Sequence, residues 1–249
     1  MTRLWFGAAT LVGLAAPAQA DHDHMHHESP GHVFGAGVAV VAASFDTMLY
    51  AGNYEGVLPS VQWSRSRYGV AATIGAYRID ENGAQYYALG DAMVHGRFAI
   101  TRNIGALLGA SAPTGDSLHG TGMGHWMVMP ALYAVAAHDR FSANATLGFS
   151  RALDGNTDHD HGAWPIVEPM LMSEVSWSAG GDVALGHAAT VGVRFAGGIP
   201  AGAPGDTRAQ AGLRGAWHRS QFDTAVEIQA GLVGDPFTVR GVVSTALSF

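Results

Sequence analysis

Thr238-Val239-Arg240-Gly241-Val242-Val243-Ser244-Thr245-Ala246-Leu247-Ser248-Phe249 alternates at period two. Val239, Val243, Leu247 and Phe249 fall on one side, and Arg240, Ser244 and Ser248 on the other. A strand with one apolar side that finishes on an aromatic is the pattern of the closing strand of an outer-membrane barrel, whose final ring sits at the lipid boundary. The stretch therefore predicts an all-β fold, a transmembrane antiparallel up-and-down β-barrel. About 12 strands are expected, an even number with both termini periplasmic.

The opposite end of the chain agrees. A basic start at Arg3, an apolar run from Leu4 to Leu14 and the small-x-small triplet Ala18-Gln19-Ala20 follow the order of a secretory signal peptide. Residues 1–20 are expected to be removed, residues 21–32 to form a His-rich flexible periplasmic tail, and residues 33–249 to form the barrel. The expected location is the bacterial outer membrane. No later apolar run reaches the roughly 18 residues of a spanning helix. The 34 glycines and the 13% charged content suit short strands with crowded faces. Cysteine is absent, which excludes disulfides and thiolate chemistry. A net charge of −7 argues against nucleic acid as a partner. The expected partners are outer-membrane lipid and lipopolysaccharide, the barrel assembly machinery, and a small solute or metal ion.

Strands are predicted over 33–45, 54–65, 68–79, 86–99, 104–112, 123–136, 141–152, 166–179, 189–199, 208–218, 222–233 and 238–249. Tight turns at Ser66-Arg67, Ile100–Asn103, Ala137–Arg140, Gly186-His187 and Arg219–Gln221 alternate with longer polar connections. The latter lie at Asp46–Asn53, Asp80–Gln85, Pro113–Gly122, Leu153–Trp164, Pro200–Thr207 and Gly234–Phe237. Short turns at one end and long loops at the other are barrel topology. Aromatics at the strand ends predict two girdles. One holds Trp63, Tyr68, Phe98, Phe141, Trp217, Phe222 and Phe249, the other Tyr50, Tyr54, Tyr77, Tyr86 and Phe149. Gly180-Gly181 reads equally as a turn, a bulge or a bend.

Alternation also assigns the interior. Arg194, Arg208, Arg214 and Arg240 are expected to share a lumen with Asp223 and Glu227, bracing the barrel as ion pairs or filtering solutes by charge. Asp91, Met93, His95 and Arg97 share one face of their strand. So do Met123, His125, Met127 and Met129, and so do Glu168, Met170, Met172 and Glu174. The intervening strands carry small residues such as Asn144, Thr146 and Gly148. Methionine in a crowded interior fills gaps. Thioether with imidazole is also soft-metal chemistry, suited to Cu(I) or Ag(I), and imidazole extends the range to Zn(II) or Cu(II). In the tail, His22, His24, Met25, His26, His27 and His32 form a loose compositional metal collector, echoed by His159 and His161. No resident cofactor is required; Cu, Ag or Zn would be transient ligands.

Pro113-Thr114-Gly115-Asp116 closes one predicted strand and enters a loop. It resembles the Pro-Thr-Gly-Asp element of the outer-membrane family labelled "MetA-pathway of phenol degradation", a group of presumed transporters. The resemblance implies a transporter barrel for aromatic solutes, whereas the Met and His content points to soft metal ions. The expected function is thus a channel for small solutes. A surface barrel that sequesters metal without transport, or a structural one, is the alternative. An enzyme is not expected: His138, His187 and His218 lie at turns or inward, no Ser–His pair faces lipid, and a G-x-S-x-G elbow is missing.

Overall fold

The computed structural model describes residues 32–47, 51–153, 166–168, 170–201 and 207–249. Within these, every regular element is a strand: β1 (Val33–Asp46), β2 (Ala51–Arg65), β3 (Tyr68–Thr73), β4 (Ala76–Glu81), β5 (Ala84–Leu89), β6 (Ala92–Ala99), β7 (Ile104–Ala112), β8 (Met127–His138), β9 (Phe141–Ala152), β10 (Ser173–Ala184), β11 (Ala189–Pro200), β12 (Arg208–Arg219), β13 (Phe222–Val233) and β14 (Phe237–Ser248). All pairings are antiparallel and join sequence neighbours except at β3–β4 and β5–β6, and β1 pairs with both β2 and β14, so the sheet closes on itself. The 14 segments make twelve spanning strands. β3 and β4 both pair with β2, and β5 and β6 continue one another across a break at Gly90-Asp91. The result is a closed antiparallel barrel of twelve strands.

The face assignments hold around the wall. Val239, Val243, Leu247 and Phe249 are exposed on the outside, while Arg240, Val242, Ala246 and Ser248 are buried inside. Leu213, Trp217, Val226, Ile228, Val191, Val193 and Phe195 point outward. Burial here is burial in the lumen, because a sheet curled into a cylinder turns its other face to the surroundings.

One end carries tight turns at 66–67, 139–140 and 220–221 with somewhat longer ones at 100–103 and 185–188. Ser66, Asp139 and Ser220 adopt positive φ there, the conformation that lets a two-residue turn follow the sheet's twist. Longer connections gather at the other end, with one correction. The link predicted over Asp80–Gln85 is a two-residue hairpin turn at Asn82-Gly83, both at positive φ (49° and 85°).

Three further expectations are overturned. The eighth spanning strand is Ser173–Ala184 rather than 166–179, and Gly180-Gly181 lies in its regular ladder. The sixth begins at Met127 rather than 123. Among the described residues, which do not include Tyr50, the loop-side girdle loses three of its predicted members: Tyr86 stacks on His119 at 3.9 Å between ring centroids, and Tyr54 and Tyr77 are buried inside. Each tyrosine shares the parity of an inward apolar neighbour, Leu58 or Ile79, so alternation rather than position near the strand end decided its face. The turn-side girdle stands, with Tyr68, Phe98, Phe141, Trp217, Phe222 and Phe249 all exposed.

Candidate functional site

The lumen holds three chemistries, each on its own part of the wall. The first is apolar. Val41, Phe45, Tyr54, Leu58, Tyr77, Ile79, Phe237 and Val242 line β1, β2, β4 and β14, and Ile166 and Val167 from the β9–β10 connection are buried among them. Tyr54 meets Tyr77 edge-on at 6.2 Å. A connection that enters the lumen with two aliphatic side chains narrows it there.

The second is thioether. Met93, Met123, Met127 and Met170 form one buried cluster, with Met129 and Ala152 packed against it. The sheet register explains how residues from separate strands meet. Met93 on β6 and Met127 on β8 both stand opposite Ser111 of β7. One level along, His95 and Met129 both stand opposite Gly109. Small residues on the middle strand leave a hollow that long side chains from each flank fill across two strand spacings, roughly 10 Å. A Cβ added at Gly109 would lie 2.9 Å from the His95 ring and 3.0 Å from the Met129 methyl, so glycine is what lets these two approach. Met123 enters this region from the segment ahead of β8, which also carries His125, and Met170 from the segment ahead of β10, rather than from the strands predicted to carry them. His125 is buried. Met172 lies outside the cluster; its carbonyl accepts from the Ala152 amide at 2.7 Å.

The third is charge. Arg208 and Glu174 are fully buried partners, with Nη2 donating to Oε1 and Nε to Oε2 (3.3 Å), and Asp235 lies 3.9 Å from Arg208 Nη1. Arg194 Nη2 donates to both oxygens of Asp182 at 2.8 Å. Arg240 Nε donates to Gln229 at 2.6 Å and Nη2 to Gln210 at 3.2 Å. His218 Nδ1 and Asp223 Oδ1 are 2.7 Å apart. Gln229 donates to Glu227, Arg214 lies within electrostatic reach of Asp182, Glu227 and Asp223, and Arg97 bonds Tyr133. The predicted arginines are therefore all inward and the predicted Glu174 is the acceptor of Arg208, yet Asp182 and the two glutamines were not foreseen as the partners of Arg194 and Arg240. Misplacing β10 hid Asp182, and an acceptor set that includes neutral amides leaves no charge pattern to read. Asp223 and Glu227 serve His218 and Gln229 instead.

Asp91, predicted as a lumen charge, fastens a loop. It sits in the β5–β6 break and accepts from the Gly115 and Met123 amides at 2.8 Å each. Beside it Thr114 Oγ1 donates to the Gly90 carbonyl (3.0 Å) and accepts from the Ala92 amide (2.8 Å). Thr121 Oγ1 donates to the Leu89 carbonyl at 2.8 Å. The Pro113–Asp116 element thus closes over a broken strand whose exposed backbone groups would otherwise go unpaired.

Between the thioether and charged walls lies a cavity of about 80 Å3, lined by His95, Met129, Met170, Ser150, Glu174 and Arg208 among others. Among the described residues no three His, Cys, Asp or Glu side chains converge as a metal-binding group. His22, His24, Met25, His26, His27, His159 and His161 lie outside the described residues. His32 accepts from the Trp63 indole at 3.1 Å, at the turn end of the barrel.

No protein-family model matches the chain, and no curated protein matches it in sequence. Solved structures do share the fold. An outer membrane channel from Pseudomonas putida F1 superposes with a TM-score of 0.63 at 12% identity, over 93% of this chain and 100% of that one. The KdgM porin, solved in complex with disordered oligogalacturonate, superposes with a TM-score of 0.55 at 11% identity, over 86% and 99%. At such identities the likeness is one of architecture, and it makes this chain a barrel of the outer-membrane kind.

Proposed function

We propose that the chain is an outer-membrane channel for small solutes, with loops outward and tight turns periplasmic. The observation that carries this reading is the interior itself. A closed barrel with an apolar outer face encloses arginines, carboxylates, amides and hydroxyls contributed by the run of strands from β6, with Arg97, to β14, with Arg240. Burying charge costs several kcal/mol per ion unless it is paired or solvated, and a lumen that only filled space would be cheaper to build from aliphatics. The Ile166–Val167 intrusion narrows the path and sets what passes.

Planar-bilayer recording tests this. The chain should give discrete conductance steps, and Ile166→Ser with Val167→Ser should enlarge them. A barrel that folds, inserts and carries no current with either sequence would contradict the proposal. That outcome would favour the reading of a closed barrel, which the complete burial of Ile166 recommends.

A further inference from the structure

We propose that the Met/His wall is a binding site for a soft monovalent cation, Cu(I) or Ag(I). Passage of the ion through the lumen rests on the channel reading above; the binding does not. Met93, Met127 and Met129 on two strands, with Met123 and Met170 from two connections, converge in one cluster, and His95 shares the Gly109 level with Met129. These are neutral, polarisable donors. A hard divalent ion gains little from thioethers, whereas a d10 monovalent ion binds them well.

The geometry favours convergence rather than ordinary filling. Interior apolar volume elsewhere in this barrel is made from Val, Leu, Ile and aromatic residues, as around Ile166. The methionines are instead gathered at one place, over Ser111 and Gly109, whose small size leaves the hollow they point into. The adjoining cavity of about 80 Å3 puts open volume against His95, Met129 and Met170. Its far wall carries Glu174 and Arg208 as a closed ion pair, so no net charge there repels a cation. A permeant ion must also leave, and a set of individually weak thioether bonds suits moderate affinity.

The test uses the full chain in detergent, with Ag(I) as the probe because it needs no reductant, and with methionine methyls labelled by 13C. To silence the tail, His22, His24, His26 and His27 are replaced by Ala. The methyls of Met93, Met123, Met127, Met129 and Met170 should shift and saturate at one equivalent, while that of Met172 stays put. Replacing Met93, Met127 and Met129 with Leu, which keeps volume and apolarity, should weaken Ag(I) binding at least tenfold. Shifts confined to Met1, Met25 or Met172, or unchanged affinity in the folded triple variant, would overturn the proposal. Salt conductance reads the channel separately: Ag(I) binding without current keeps the site and loses only the passage.

Discussion

Arg208 and Glu174 illustrate what a single residue does in this lumen. Each is at most 2% exposed, so neither charge is solvated, and each depends on the other. Removing one partner strands the other, at a cost of about 3–5 kcal/mol, whereas replacing both with apolar residues of similar volume is close to neutral. Glu174→Gln and Arg208→Met should each lower the urea midpoint of the folded barrel substantially, and the double variant Glu174→Leu/Arg208→Met should recover most of the loss. Additive losses in the double variant would show that the two side chains act independently. At this scale the sequence was half legible. Period-two alternation put Arg194, Arg208, Arg214 and Arg240 inside, because charge on a lipid face is costly. It could not say which acceptor each would meet, since that depends on loop residues such as Asp235 and on the register of β10. Glycine at 180 was ambiguous for the same reason: a Cβ there would sit 2.8 Å from the Arg194 side chain, a constraint visible only once the strands are paired.

At the scale of elements, the β9–β10 connection matters most. It brings Ile166 and Val167 to the apolar wall and Met170 to the thioether wall, with Glu168 between them. Glu168 lies outside the spanning strands, and burial pushes its carboxyl up to about 8. The Asp91 carboxylate raises it further and the Arg240 guanidinium opposes both. Tyr54 and Tyr77 also lie within its electrostatic reach. The sign follows from linkage. A seated segment holds the proton that a released one loses near pH 4.5, so seating is firmest in acid and weakens as pH rises toward about 8. Conductance should therefore increase between pH 5 and 8 and level off above, and Glu168→Gln should flatten the curve. A wild-type conductance independent of pH over that range would count against the segment as the constriction. The tight turns at 66–67, 139–140 and 220–221 were readable from the short gaps between alternating runs, whereas Asn82-Gly83, the one pair with a strong hairpin preference, was read as part of a longer connection. The inserted connection was not readable, because Glu168, Met170, Met172 and Glu174 share one parity with Leu171, Val175 and Trp177 on the other, a rhythm that reads as strand. Nor did the Pro113–Asp116 motif announce its task. Its threonine and glycine hold the Gly90-Asp91 break, a contact between distant parts of the chain.

On the scale of the molecule, closure is the organising fact. β14 lies between β13 and β1 with continuous register from Gly35↔Ser248 to Ser44↔Val239, and the Phe34 and Phe249 backbones exchange hydrogen bonds of 3.1 and 3.0 Å. No edge is left along this seam, which is why the alternating stretch at 238–249 was informative about the whole fold. Twelve spanning strands were legible because each carries its own period-two signal and turn. The two broken strands did not disturb the count, since Pro59, Gly75 and Gly90 interrupt the ladder without reversing the chain. The thioether wall was legible in part: the faces of Met93, Met127 and Met129 follow from alternation, but their meeting across β7 needed the register.

Adjacent residues on β9 test the central claim, a barrel that conducts through its lumen, most directly. Thr146 lines the interior cavity and Leu147, 61% exposed, faces the surroundings. The chain has no cysteine, so each position can carry the sole thiol. Single-channel current is recorded for Thr146→Cys and Leu147→Cys before and after a water-soluble, negatively charged thiol reagent. The account predicts a stepwise fall in current for Thr146→Cys and no change for Leu147→Cys. Equal block at both positions, or a current indifferent to modification at Thr146, would contradict it.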